Sequence, residues 1–155
     1  MTDAIDPEEL RRYFEERIPY NKHLGIKVEA IGPRRCVLRL PFRPEFIGDT
    51  MRPAIHGGIT SALADAAGGM VCYLALRTTK DRLSTIDLRV DYLRPGRPED
   101  LLCEARIVRV GNRLGVARMQ LFSGALPPED LAEDARLAQA IATALAVYNV
   151  IRRGE

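Results

Sequence analysis

The sequence has no tryptophan, two histidines, three cysteines and no long apolar run. Each shortage excludes something. His23 and His56 stand 33 positions apart and no CxxC pair occurs, so the clustered ligands of a zinc site are missing; neither a metal nor a cofactor is expected. Cys36, Cys72 and Cys103 are odd in number, far apart and set among apolar residues, which reads as buried free thiols in a reducing, cytoplasmic compartment. A nucleophilic cysteine would need a histidine close in space, and nothing local supports one. The longest apolar stretch, around residues 62–76, is interrupted by Asp65 and rich in glycine, too short for a membrane span. Met1 to Glu16 carry no apolar segment of the signal-peptide kind. Net charge is also slight: 23 basic against 21 acidic residues leave +2, too little to point to nucleic acid. Partners of either kind, nucleic acid or membrane, are not expected.

What is present fits one domain over residues 1–155, with the first 20 a helix and lead-in. Asp6-Pro7-Glu8-Glu9 is a helix start, with a capping aspartate, proline at the first helical position and an acid where a capping-box partner stands. That helix is predicted to reach Arg17 and to stop before Pro19, leaving His23 in a loop. Leu10, Phe14 and Ile18 give it one narrow apolar stripe, so it lies on a surface.

From Gly25 to Phe42 the pattern has period two: Ile26 and Val28 alternate with charged residues, then Cys36, Leu38, Leu40 and Phe42 share a face around an Ile31-Gly32-Pro33 turn. This predicts a hairpin, followed by a loop from Pro44 to Ile55. His56 to about Arg77 has helical length but is apolar or small almost all round, which predicts a buried central helix. Alternation returns at Thr85 to Tyr92 and ends at Pro95-Gly96. Leu101–Val110 and Gly115–Ser123 flank a Gly111-Asn112 turn as a long hairpin, and an acidic excursion follows Pro127-Pro128. Leu137 to Val150 carries alanine at 138, 140, 142, 144 and 146, which favours a helix by propensity. Its strict alternation favours a strand, and a strand is predicted, because five alanines on one face leave room for a closely packed neighbour. The sum is an α+β fold, an antiparallel β-sheet wrapped around a central α-helix with a short N-terminal helix.

The chemistry-bearing segment is Ile55-His56-Gly57-Gly58-Ile59-Thr60. At a helix start the first N–H groups lack intrahelical partners, the dipole is positive, and glycines leave the amides uncovered. Such a place can hold a developing oxyanion; the same glycines would equally serve a tight turn against the sheet. Asp65 lies in the most apolar helix of the chain. Burial without partners would be costly and would make it a stronger base than a free aspartate; a bond to a backbone amide or an arginine is the other reading. Eight residues at about 1.5 Å each put Asp65 roughly 12 Å from Gly57 along the axis. One reacting carbonyl cannot touch both on one helix. If they act together, the carboxylate of one chain meets the amide of another, in a symmetric dimer.

Helix HGGITSALADAAGG followed by TIDLRVDYLRPG resembles the hotdog-fold thioesterases of the phenylacetic-acid-degradation (PaaI-like) and thioesterase-superfamily-member-2-like groups, over about Gly25 to Val150. The resemblance implies a hotdog fold and hydrolysis of acyl-CoA thioesters, with CoA part of the substrate. It assigns Asp65 as general base or nucleophile, the Gly57 amide as the polariser of the thioester carbonyl, His56 as a positioning group and Thr85 as the hydroxyl that orients water or the acid. It implies a homodimer with two shared sites, usually paired into a homotetramer. Thr50 stands where related enzymes often have asparagine, and a hydroxyl cannot offer an amide's donor and acceptor together. Thr85 has the parity of Asp87 and Arg89, the polar side of its strand. Gly58, Leu63, Met70 and Tyr73 are placed along the substrate slot, and Arg94 and Arg113, near strand ends, are candidates for CoA phosphates. A hotdog enoyl-thioester hydratase or dehydratase and a non-catalytic acyl-binding protein of the same fold are the alternatives.

Overall fold

The computed structural model describes residues 6–76 and 80–152. Three short helical pieces come first: α1 (Pro7–Arg12), a π-helical turn (Tyr13–Arg17) and α2 (Pro19–Leu24). Asp6 caps α1 by accepting from the Glu8 amide at 3.0 Å. The chain does leave the first helix before Pro19, but Pro19 then opens a second one, because a proline that cannot continue a helix is well suited to begin one. His23 is therefore an exposed residue of α2, not of a loop. Gly25 closes α2 in the left-handed conformation, φ 78°, and its N–H bonds back to the carbonyls of Asn21 and Lys22.

The strands are β1 (Lys27–Gly32), β2 (Arg35–Leu40), β3 (Ile47–Asp49), β4 (Ala54–Ile55), β5 (Arg82–Tyr92), β6 (Leu101–Val110), β7 (Leu114–Ser123) and β8 (Ala142–Ile151). Helix α3 (Gly57–Tyr73) lies between β4 and β5, and α4 (Glu133–Leu137) between β7 and β8. Six strands form one antiparallel sheet in the order β1-β2-β6-β7-β8-β5. The remaining two, β3 and β4, make a small separate hairpin in the segment predicted as loop. The predicted helix end at Arg77 lies outside the described residues; the described helix ends at Tyr73.

The sheet wraps α3. Leu63, Ala64, Ala67, Met70 and Val71 of the helix are fully buried against Leu38, Cys103, Ala117, Leu121 and the inward alanines of β8. Ala142, Ala144 and Ala146 are buried, so the alanine face does leave room for the helix. The predicted strand from Leu137 starts too early, however. Helix propensity wins over residues 133–137, and strand pairing begins only at Ala142, opposite Leu121 and Tyr92.

The helix is not buried all round either. Ser61, Ala62, Asp65, Ala66, Gly69 and Tyr73 keep partial exposure along one open stripe. Beside that stripe runs β5, an 11-residue edge strand paired only to β8 and exposed along most of its length.

Candidate active site

Helix α3 begins at a designed corner. The His56 amide donates to the Phe46 carbonyl at 2.8 Å, and Ile55 donates to Gly96 at 2.9 Å, so two loops hold the residue before the helix. Gly48 makes this possible. A Cβ there would stand 2.8 Å from His56 Cα and Cβ and 2.9 Å from Cδ2, closer than side chains pack.

The two glycines after His56 differ in use. The Gly58 N–H donates to His56 Nδ1 at 2.9 Å, so the imidazole is the N-cap of its own helix. Nδ1 is thereby an acceptor and the ring proton sits on Nε2. Gly58, placed along the substrate slot from the sequence, has its donor committed within the chain. The Gly57 N–H has no acceptor among the described residues. On its carbonyl side, Gly57 accepts from Tyr92 Oη at 2.9 Å and from Ser61 Oγ at 3.1 Å, and these two hydroxyls are themselves 2.5 Å apart. Tyr92 packs its ring over the glycine, 3.3 Å from where a Cβ would be. The residue whose amide is free is thus held from β5 by its carbonyl.

Asp65 sits two turns along, on the open stripe. Thr85 Oγ1 donates to Asp65 Oδ1 at 2.9 Å. Tyr148 Oη donates to the Asp65 main-chain carbonyl at 3.0 Å and approaches Oδ1 at 3.4 Å. Thr85 faces the helix despite its sequence parity, because the β5–β8 register shifts between Thr85 and Asp87. Ile86 is the extra residue of a β-bulge, so the parity flips there. Thr85 pairs with Tyr148, while Leu88, Val90 and Tyr92 pair with the inward Ala146, Ala144 and Ala142. Thr85 therefore shares the inner face with the apolar residues on the far side of the bulge.

Other predicted residues are placed differently. Leu63 and Met70 are completely buried under the sheet, so the open face of α3 carries the small residues Ala62, Ala66 and Gly69 in their stead. Thr50 lies exposed in the β3–β4 turn, where Asp49 Oδ1 accepts from Met51 and Arg52. Arg94 donates to the carbonyls of Ala140 at 2.6 Å and Leu137 at 3.4 Å, pinning the excursion. Arg113 lies in the β6–β7 turn, past the strand end where Leu114 and Ser84 both pair with Asn149, whereas Arg94 lies beyond the opposite end, where Tyr92 pairs with Ala142. About eight strand residues separate these ends, on the order of 25 Å, so the two arginines of one chain cannot meet one phosphate. The three cysteines are buried. Burial pushes the Cys72 thiol up to about 12, and burial first, then the neighbouring Cys72, raises Cys36 further, so both sites favour the neutral thiol over the thiolate.

Sequence reasoning passed over Ser61, Tyr92 and Tyr148. The inward parity of Tyr148 with the alanines is the available signal for it, since a buried aromatic hydroxyl must find an acceptor, whereas exposed Tyr92 offers only its parity with Leu88 and Val90.

A sequence model of the Thioesterase superfamily matches residues 53–126, the stretch from the approach to α3 to the end of β7. The medium/long-chain acyl-CoA thioesterase YigI of Escherichia coli is 34% identical over 122 residues, covering 71% of this chain and 79% of that protein. The chain belongs to the thioesterase superfamily. Its fold is the hotdog, and the reaction of its family is thioester hydrolysis. A crystal structure from Shewanella oneidensis, related to the same superfamily, superposes with a TM-score of 0.75 at 26% identity, covering 92% of this chain and 93% of that one. A thioesterase structure from Haemophilus influenzae reaches 0.77 over 99% of this chain and 96% of its own at 19% identity, a likeness of fold. Among the described residues no helix of this thioesterase-superfamily chain is long and apolar enough to cross a membrane.

Proposed function

We propose that this chain hydrolyses acyl-CoA thioesters at a site shared by two copies of itself. The observation that carries the reading is the division of labour along α3. One end offers an uncommitted Gly57 N–H in the positive field of the helix N-terminus, and eight residues on, Asp65 is held on the open stripe by Thr85. The helix rise keeps the two about 12 Å apart within a chain. Two α3 helices packed antiparallel along their small-residue stripes bring each Gly57 amide to the other chain's Asp65. The long exposed edge of β5 supports the same arrangement, since an edge strand of this length calls for a partner.

In this reading the thioester carbonyl accepts from the Gly57 N–H, which stabilises the oxyanion as it forms. Asp65 removes a proton from the attacking water, the carbon–sulfur bond breaks, and the proton passes to the leaving CoA thiolate, giving free acid and CoA. Direct attack by the carboxylate, with water then cleaving the mixed anhydride, uses the same residues. His56, with Nδ1 occupied by the Gly58 amide, sets the corner and takes no proton there.

Two variants test the shared site. Asp65→Asn removes the base. Gly57→Pro removes the amide at a position where proline suits a helix start. Each alone is expected to release CoA from an acyl-CoA panel at least 100-fold more slowly than wild type. Unfolded and refolded together in equal amounts, half the dimers are mixed and each mixed dimer has one intact site, so about a quarter of wild-type activity returns. No recovery in a verified mixed dimer rejects the shared site, and full activity in Asp65→Asn rejects the hydrolase reading of Asp65.

A further inference from the structure

Tyr148 is one of the largest fully buried side chains in the protein, inward-facing on β8 directly opposite Thr85 of β5. Its hydroxyl is not spent in the core. It crosses to α3, donates to the Asp65 carbonyl at 3.0 Å and lies 3.4 Å from Oδ1, the oxygen that also accepts from Thr85. Two hydroxyls from paired residues of neighbouring strands therefore converge on one carboxylate oxygen. Oδ2 has no hydrogen-bond partner among the described residues.

A second feature shows that this approach is built. Gly68 is buried in the middle of α3, where glycine costs about 1 kcal/mol against alanine. A Cβ at Gly68 would collide with Tyr148 Oη and press on Met119 Cε and Sδ at 3.1 Å. At the neighbouring Gly69 a Cβ would only touch Tyr148 Cε1, at 3.7 Å, an ordinary contact. The helix gives up a side chain at the one place where the phenol reaches in. A tyrosine that merely filled space would be served as well by phenylalanine over an alanine.

We infer that Tyr148 is a positioning residue for Asp65: through the gap at Gly68 its one hydroxyl proton, shared between the Asp65 carbonyl and Oδ1, fixes the residue while Thr85 holds Oδ1, and together they aim Oδ2 at the reacting water or carbonyl. This rests on Asp65 being the catalytic carboxylate. Among the described residues the groups that face it are Thr85 from β5 and Tyr148 from β8, and no cation there is bonded to it.

The test compares Tyr148→Phe, Gly68→Ala and Asp65→Asn in steady-state hydrolysis of an acyl-CoA that wild type cleaves, with thermal melting of each. Tyr148→Phe is expected to lower kcat about 10-fold with KM changed less than 2-fold, because it removes aim and no substrate contact. Gly68→Ala is expected to lower kcat similarly, yet to add nothing on the Tyr148→Phe background, where the hydroxyl it displaces is already gone. Wild-type kcat in Tyr148→Phe overturns the inference while leaving the role of Asp65 intact if Asp65→Asn is inactive. A raised KM with a lowered Tm, without a separate loss in kcat, marks the tyrosine as packing only and also overturns it. Full activity in Asp65→Asn instead removes the reading beneath it.

Discussion

Replacing Gly48 by alanine tests the corner on which the proposed oxyanion site depends. The new methyl would lie 2.8 Å from His56 Cα and Cβ and 2.9 Å from Cδ2, about 0.6 Å short of ordinary contact. Two of these atoms are at the root of the residue and cannot swing aside as a side-chain tip could. Relief requires β3 and the first turn of α3 to separate. Overpacking of this kind costs about 1–3 kcal/mol. Displacing His56 also weakens the Gly58 N–H···Nδ1 cap, an effect of about 1 kcal/mol. The summed loss should lower Tm by several degrees in a chain of this size. Because Gly57 follows His56 directly, its amide moves too, and a displacement of half an ångström or more should reduce kcat about 10- to 100-fold. The assay pairs thermal melting with thiol release, using Gly32→Ala of β1 as control, whose Cβ meets only ordinary contact at 3.8 Å and is remote from α3. Wild-type Tm and kcat in Gly48→Ala would refute the claim that this glycine sets the position of His56 and Gly57.

Glu104→Gln should destabilise the protein by roughly 3–5 kcal/mol, because Glu104 and Arg136 are both buried and the change leaves a guanidinium facing only a neutral amide and the carbonyls of Pro127 and Pro128. Burial alone would raise the Glu104 carboxyl, but Arg35, Arg106 and Arg136 outweigh it and hold the group below its ordinary value of 4.5. Its stabilisation is thus complete above that value and is lost as pH falls through the lower folded value, so wild-type urea midpoints should drop more steeply below about pH 4.5 than those of Glu104→Gln. Parallel curves would count against this latch. Folded protein should react with an aromatic disulfide reagent at pH 8 no faster than it unfolds, since burial raises all three thiols. Rapid stoichiometric labelling with loss of activity would restore a cysteine role.

The sequence by itself determined most of what depends on neighbours a few residues apart. Alternation placed β1, β2, β5, β6 and β7, and the run of apolar and small residues placed α3. His-Gly-Gly marked the helix start, and Asp65 stood out because a carboxylate in such a helix needs a reason. The rise of 1.5 Å per residue was enough to separate the two halves of the proposed site. Where local signals competed, the reading was less complete: Pro19 both ends one helix and begins another, and the alanine run serves a short helix before it serves β8. Tertiary structure alone decided which groups meet. A bulge at Ile86, invisible to periodicity, turns Thr85 toward Asp65. Arg94 is drawn to carbonyls of the excursion, and Tyr148 reaches Asp65 across 83 residues of chain. These contacts follow from strand register and close approach between distant segments, and a pattern read along the chain carries no record of either.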